Sequence, residues 1–230
     1  MHAVILAAGE GSRMGPHTTD VPKAFLRIGG RTLYDRQRTV LDPSVDEVTV
    51  VLGYAYENVI DQVGDARTVI FEDWADYENA ESLRRAIRGI DDDVFVLNGD
   101  IVTTRSVVER VVGRHRRTAP GRSVVAALPE IQEDDTALTC NERGLVTDYG
   151  MIRGYQHAGL GVIDASNLDA AADYLAAHPT EWYPGLYTQV PTEMVTIPAT
   201  HHIEINSPRD MMDARDKLPF DREGELDAQT

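Results

Sequence analysis

Short, wholly apolar runs alternate with amphipathic stretches along the first half of the chain. Ala3–Leu6 is apolar throughout and predicts a buried strand, and Thr32–Leu41 predicts a helix. Glu47–Leu52 (EVTVVL) predicts a strand, Tyr56–Val63 a helix, Thr68–Phe71 a strand, Ala80–Ile90 a helix and Val94–Leu97 a strand. Apolar strands that alternate with helices predict an α/β domain whose parallel sheet is covered on both faces. Ligands of such sheets collect at the carboxyl ends of the strands. Three segments directly follow strand ends: the loop from Leu6 to Arg13, Gly53-Tyr54, and Asn98-Gly99-Asp100. They are expected to converge on one edge.

The texture changes after Ser106–Arg117, a predicted helix, and Arg122–Leu128, a predicted strand. Thr136–Cys140, Leu145–Tyr149 and Tyr155–Ile163 are strand-like pieces separated by turn residues. A mixed, partly antiparallel region is expected there, forming a second wall of the site. Ala165–Ala177 predicts an alanine-rich helix, and the aromatic Glu181–Gln189 a loop or short helix. Met194–Ile197 and His201–Ile205 read as short strands. Pro208–Lys217 reads as a closing helix, with Ser207 as N-cap and proline at its first position. With no repeats and no clear linker, residues 1–217 are expected to form one domain. Residues 218–230 are polar and acidic, a composition that predicts a disordered tail.

Composition narrows the function. The chain has 230 residues and is 42% hydrophobic, enough for a real core. No apolar run approaches the ~20 residues of a membrane-spanning helix. The N-terminus shows no basic region or cleavage site and enters a motif at once, so a cytoplasmic location is expected. The formal net charge of −16 argues against nucleic acid as the main partner. The single cysteine, Cys140, allows no internal disulfide. Of 22 basic residues only Lys23 and Lys217 are lysine. An acidic surface with arginine in place of lysine suggests a halophilic protein, since salt screens its self-repulsion. In that setting Lys23 stands out as a position that needs a compact ammonium.

The candidate chemistry begins at Leu6-Ala7-Ala8-Gly9-Glu10-Gly11-Ser12-Arg13. Gly9 and Gly11 allow a tight turn that points several N–H groups at one anion. Arg13 can add a charge-assisted fork to a phosphate. Val21-Pro22-Lys23 follows, with proline stiffening the approach to the lysine. Asp100 ends a strand-glycine segment, where a carboxylate can hold Mg2+. No lysine follows the glycines as in a P-loop. The glycine spacing, and the absence of an acid after the second strand, disfavour a dinucleotide fingerprint. His201-His202 lacks a third ligand, and neighbours on a strand point to opposite faces.

Leu6-Ala7-Ala8-Gly9-x-Gly11-x-Arg13 with Pro22-Lys23 resembles the signature of nucleotidylyltransferases that activate sugar phosphates and related monoesters. Asn79-x-x-Ser82-Leu83 resembles the nucleotide-contacting segment of short cytidylyltransferases acting on phosphocholine, 2-aminoethylphosphonate or inositol phosphate. Asn98-Gly99-Asp100 matches the metal-binding aspartate motif, and His202-Ile203-Glu204-Ile205-Asn206 resembles the subgroup's late acidic segment. The resemblance touches residues 1–217 at scattered points. It implies a single Rossmann-like (GT-A-like) three-layer domain with a mainly parallel, mixed sheet.

It also implies transfer of a nucleotidyl group from an NTP, CTP favoured, to a small phosphate-bearing acceptor, with pyrophosphate released. Arg13, Lys23 and Asp100 would be the catalytic residues. Leu6 through Arg13, Lys23, Asn79, Ser82, Asn98 and Gly99 would bind the nucleotide. Mg2+ would be held by Asp100 with Asn206 or Glu204. The family usually has aspartate at the position of Asn206; the asparagine oxygen is neutral, though a hard cation still accepts it. Trp74, Tyr77, Trp182, Tyr183 and Tyr187 offer surfaces for an ammonium-bearing acceptor, or fill the core. The alternatives are a sugar-1-phosphate uridylyl-, thymidylyl- or guanylyltransferase on the same fold, or a non-catalytic nucleotide-binding regulator. In guanylyltransferases that load a molybdopterin-type cofactor the lysine follows the arginine closely, whereas here ten residues lead from Arg13 to Lys23.

Overall fold

The computed structural model describes residues 1–129 and 136–217; the expected acidic tail lies outside them. The first half forms β1 (His2–Ala7), a small hairpin of β2 (Arg27–Ile28) and β3 (Arg31–Thr32), α1 (Leu33–Leu41), β4 (Glu47–Leu52) and β5 (Arg67–Ile70). It continues through α2 (Asn79–Ala86), β6 (Val94–Asn98), β7 (Ile101–Thr103), α3 (Arg105–His115) and β8 (Ser123–Leu128). The second half supplies β9 (Ala137–Cys140), β10 (Val146–Gly150), β11 (Tyr155–Ile163), α4 (Leu168–Ala177), β12 (Thr192–Thr196), β13 (His202–Glu204) and α5 (Pro208–Lys217).

A nine-stranded sheet runs through the centre. β6, β1, β4 and β5 lie side by side and parallel. β11 then enters antiparallel between β6 and the strands β8 and β9, which makes the sheet mixed as expected. The alternation along β1 explains why both faces are covered. Ala3, Ile5 and Ala7 pack into one buried cluster with Tyr34 and Leu41 of α1 and Val107 and Val111 of α3. Val4, Leu6 and Ala8 pack into a second with Leu83 of α2 and Leu175 of α4. Adjacent strand residues point to opposite faces, so an unbroken apolar run is what a three-layer sandwich needs. No helix among the described residues is long and apolar enough to cross a membrane.

Two differences from the sequence pattern concern the site. Tyr56–Val63 is not an α-helix but two single 3-10 turns, Tyr56–Asn58 and Ile60–Gln62. Val59, at φ −132° and ψ −8°, breaks them apart. The β-branched pair Val59-Ile60 disfavours helix, and Asn58 Nδ2 is drawn 2.9 Å onto the carbonyl of Asp20. The second difference is β7, which no pattern marks. It pairs antiparallel with β13, setting Ile101 opposite Glu204.

Candidate active site

Three strand ends do meet at one edge. The Gly99 amide donates to the Leu6 carbonyl at 2.8 Å, and the Tyr54 amide to Ala8 at 2.8 Å. A Cβ on Gly99 would lie 2.7 Å from Leu6 O, and one on Gly53 2.7 Å from Ala8 O. Both glycines are therefore there for close backbone approach. Gly11 has a different task. It takes φ +69°, and a Cβ there would press on the Lys23 stem at 3.0 Å. The glycine loop thus folds over Lys23, which is buried at the head of a 3-10 turn, Lys23–Phe25, entered from the extended Pro22.

Four polar side chains interlock at this edge. Lys23 Nζ donates to Asp100 Oδ2 at 2.9 Å and to Asn206 Oδ1 at 3.0 Å. Arg13 Nη2 donates to the same Asn206 Oδ1 at 2.9 Å. Asp100 Oδ1 is buried without a hydrogen-bond partner among the described residues. An unspent carboxylate oxygen in that state is ready for a cation or a donor. Backbone contacts hold the aspartate: Ile205 N donates to its carbonyl at 2.8 Å. Gln37 of α1, fully buried, donates from Nε2 to Asn98 O at 2.9 Å and to Ile101 O at 2.8 Å, clamping the turn that carries Asp100. Sequence reasoning missed Gln37, because a glutamine on an amphipathic helix looks like a solvent-facing residue.

A cleft of about 380 Å³ opens beside this cluster. Leu6, Ala7, Ala8, Gly9, Gly11, Arg13, Lys23, Asn79, Ser82, Asn98, Gly99, Asp100, Glu204 and Asn206 all line it. Glu10 and Ser12 sit on the exposed turn, outside the lining. Asn79 has a structural partner as well, its Oδ1 accepting from Tyr183 N at 2.8 Å. The far wall adds Thr136, just before β9, with Tyr149, Gln156, His157 and Gly159 of the antiparallel strands, none of which carried a motif.

Of the candidate aromatics, Trp74, Tyr77 and Trp182 line the cleft. Tyr183 and Tyr187 do not: both are fully buried in the core packed around α2 and α4. Burial of His157 holds its imidazole down at about 3, with His202 nearby adding to the effect. Its Nδ1 accepts from Gly159 N at 3.2 Å, which leaves the proton on Nε2. A second groove adjoins the cleft, sharing Glu78, Thr136, Tyr149 and Trp182 with it, and adds Asp148, Glu181 and Tyr174.

Several arginines of α2 and α3 are structural. Arg84 and Arg85 both pair with the buried Glu81, at 2.6 and 2.8 Å. Arg114 pairs with Glu193 at 2.6 Å. Cys140 is half-buried and burial pushes its thiol up, as for a packing residue. Among the described residues, Asp93, His115 and Asp164 have metal-compatible spacing. They lie at the opposite end of β6 from the cleft. Their atoms have structural work: His115 Nε2 meets Asp93 Oδ2 at 2.9 Å, Ala165 N donates to Asp93 Oδ1 at 2.9 Å, and Ser166 N to Asp164 Oδ1 at 3.0 Å.

The family model described as a MobA-like NTP transferase domain matches residues 3–141. The chain belongs to that family. The chain is 32% identical over 157 residues to the CMP-5'-(3-aminopropyl)phosphonate synthase of Streptomyces rubellomurinus, covering 65% of this chain and 24% of the relative. It is 31% identical over 103 residues to the bifunctional protein GlmU of Methanococcus aeolicus, covering 44% of this chain and 25% of that one. The matches thus span about a quarter of these relatives.

Two solved structures share the fold of this chain at 18% identity. The inositol-1-phosphate CTP transferase from T. maritima superposes with a TM-score of 0.75, covering 94% of this chain and 97% of that one. The CTP:phosphocholine cytidylyltransferase LicC from Streptococcus pneumoniae does so with a TM-score of 0.72, covering 93% and 97%.

Proposed function

We propose that this nucleotidyltransferase joins CTP to a small phosphate monoester or phosphonate, releasing pyrophosphate in a Mg2+-dependent reaction. The observation that carries the reading is the interlocked set Arg13, Lys23, Asp100 and Asn206 beneath the glycine loop, at the mouth of one cleft. An acceptor phosphate has a second pKa near 6, so it is a nucleophile at neutral pH without a general base. Its oxygen attacks the α-phosphorus, the bond to the β-phosphate oxygen breaks, and pyrophosphate leaves. Catalysis is then positioning and charge neutralisation.

Lys23 sits beside the α-phosphate and the incoming acceptor. Arg13 and the N–H groups of the loop from Ala8 to Ser12 steady the departing pyrophosphate. Leu6, Ala7, Ala8 and Gly9 border the base and ribose, with Asn79 and Ser82 completing that wall and Asn98-Gly99 its floor. The unspent Asp100 Oδ1 fits a hard cation, with Glu204 on the same wall. Bound there, Mg2+ would offset the charge of the triphosphate. CTP is favoured by the cytidylyl chemistry in the names of one relative and two structural neighbours. An ammonium on the acceptor suits Trp182 with Glu78 on the cleft wall, and Asp148 and Glu181 in the adjoining groove.

The test is pyrophosphate release in high salt with CTP, Mg2+ and a panel of aminoalkylphosphonates, phosphocholine and sugar 1-phosphates. Lys23→Ala and Asp100→Ala should each abolish turnover while far-UV circular dichroism stays native. Full activity in either variant contradicts the roles assigned. Nucleotide binding without pyrophosphate release from any acceptor would point instead to a regulatory binding protein.

A further inference from the structure

Both ends of the glycine loop are tied to one short turn. The chain leaves β1 at Ala8, passes through Arg13 and arrives at Lys23. At the start, the Tyr54 amide donates to Ala8 O at 2.8 Å. At the far end, the Tyr54 hydroxyl donates to the Thr19 carbonyl, and Asn58 Nδ2 donates to the next one, Asp20 O, at 2.9 Å. Between the tied ends Met14 is buried beside Leu26 and Leu33, but Ser12, Arg13, Gly15, Pro16 and His17 are exposed. Gly15, at φ +57° and ψ −129°, kinks the 3-10 turns there. The bonds from Thr18 Oγ1 to Gly11 O and Gly15 O are long, at 3.3 and 3.4 Å. A segment with so few buried contacts keeps one conformation only as far as its ends are fixed.

The turn after β4 is shaped for this grip. A Cβ on Gly53 would lie 2.7 Å from Ala8 O, 2.8 Å from Trp74 Cβ and 2.9 Å from Phe71 O. Ala55 follows at φ +46°, the one non-glycine with a positive φ among the described residues. That conformation is disfavoured for a residue with a side chain and persists where its surroundings fix it. It leads into the 3-10 turn that carries Asn58, whose amide donates to Ala55 O at 3.1 Å. The Tyr54 ring stands edge-on to Trp74, with centroids 5.4 Å apart and planes at 81°. Trp74 lines the cleft, whereas Tyr54 and Asn58 do not. Tyr54 is therefore held on one side by the cleft wall and on the other by the loop.

We propose that Tyr54 and Asn58 are positioning residues that pin the chain just ahead of Val21-Pro22-Lys23. Arg13, Lys23 and the loop N–H groups are then arrayed for a triphosphate before it arrives. Preorganisation of this kind raises affinity by sparing the ordering cost on binding. The ligand in this inference rests on the proposed nucleotidyl-transfer reading; the pinning rests on the loop geometry alone.

The experiment reads the two parts separately. Trypsin digestion with mass spectrometry at the Arg13–Met14 bond reports loop opening without any ligand, and calorimetric titration of CTP with Mg2+ reports its consequence. Tyr54→Phe removes the hydroxyl and keeps the ring on Trp74. It should speed cleavage at Arg13–Met14 and weaken CTP binding, each about fivefold, the scale of one neutral hydrogen bond. Asn58→Ala, on the surface, should change both about twofold, and serves alone should Tyr54→Phe fail to fold. The double variant should change both by about tenfold. Cleavage at Arg88–Gly89, an exposed turn elsewhere, should keep its wild-type rate in all three. A merely structural role would lower the unfolding midpoint and speed cleavage at both bonds alike, which overturns the proposal. Unchanged cleavage at Arg13–Met14 in the double variant overturns the pinning. Faster cleavage there with wild-type CTP affinity overturns the positioning role. Wild-type protein that binds no nucleoside triphosphate, with the variants still cleaved faster at Arg13–Met14, overturns the nucleotidyl-transfer reading and upholds the pinning.

Discussion

Gly99 leaves no room for a side chain. Alanine there would bring its Cβ to 2.7 Å from Leu6 O and 3.1 Å from the Cβ atoms of Ala7 and Ala24. Gly99→Ala should therefore cost about 2 kcal/mol, the usual scale of overpacking, and displace Asp100 next to it. Urea unfolding and pyrophosphate release measure the two effects separately. His157 makes a pH prediction. Burial depresses its imidazole from 6.5 to about 3 in the folded state. Between those values the unfolded chain holds a proton that the folded protein does not. Stability is thus retained above pH 6.5 and lost as pH falls toward 3, by up to ~1.4 kcal/mol per pH unit for this group. His157→Gln should flatten that part of a urea-unfolding series. An unchanged slope would mean that the imidazole is not held neutral. Lys23 and Asp100 were legible as candidates because rarity and position after a motif marked them. Gln37 and His157 were not, since their importance lies in what a distant strand places beside them.

Elements carry the site through their ends. α1 begins with a reciprocal cap: Asp35 N donates to Thr32 Oγ1 at 2.9 Å, and Thr32 N to Asp35 Oδ2 at 3.1 Å. Through Gln37 the same helix holds the Asn98–Ile101 turn. Thr32→Ala should cost ~1 kcal/mol of stability, as loss of an N-cap typically does, and a matching fall in the unfolding midpoint checks it. α5 uses the same device, with Ser207 N donating to Asp210 Oδ2 at 2.7 Å and Asp210 N approaching Ser207 Oγ at 3.4 Å. The start of α5 was readable from Ser207 and Pro208. The failure at Tyr56–Val63 has a tertiary cause: its two turns pack Val59 and Val63 inward while Asn58 reaches the loop after Thr19. The pairing of β7 with β13 was also invisible, because three-residue strands have too few positions to show a period.

At the scale of the whole molecule the dominant property is charge. A net −16 on 230 residues stores self-repulsion that salt relieves. The unfolding midpoint should rise from low salt to about 1 M NaCl, where the screening length falls to ~3 Å. A flat or falling profile across that range would rule out the halophilic reading of the composition.

The sequence by itself determined the three-layer α/β fold, because strands apolar on both faces are stable only between two layers of helices. It also determined that the glycine loop, Gly53 and Asp100 share an edge, because in a parallel sheet the carboxyl ends of all strands point the same way. What only the tertiary structure decided is which side chains touch. Lys23, Asp100, Asn206 and Arg13 are up to 193 residues apart and meet through non-local pairing of β7 with β13. Local periodicity reports the face a residue presents to its own element's neighbours. It says nothing of the partner that a long-range register delivers, such as the Asn206 oxygen set beside Lys23.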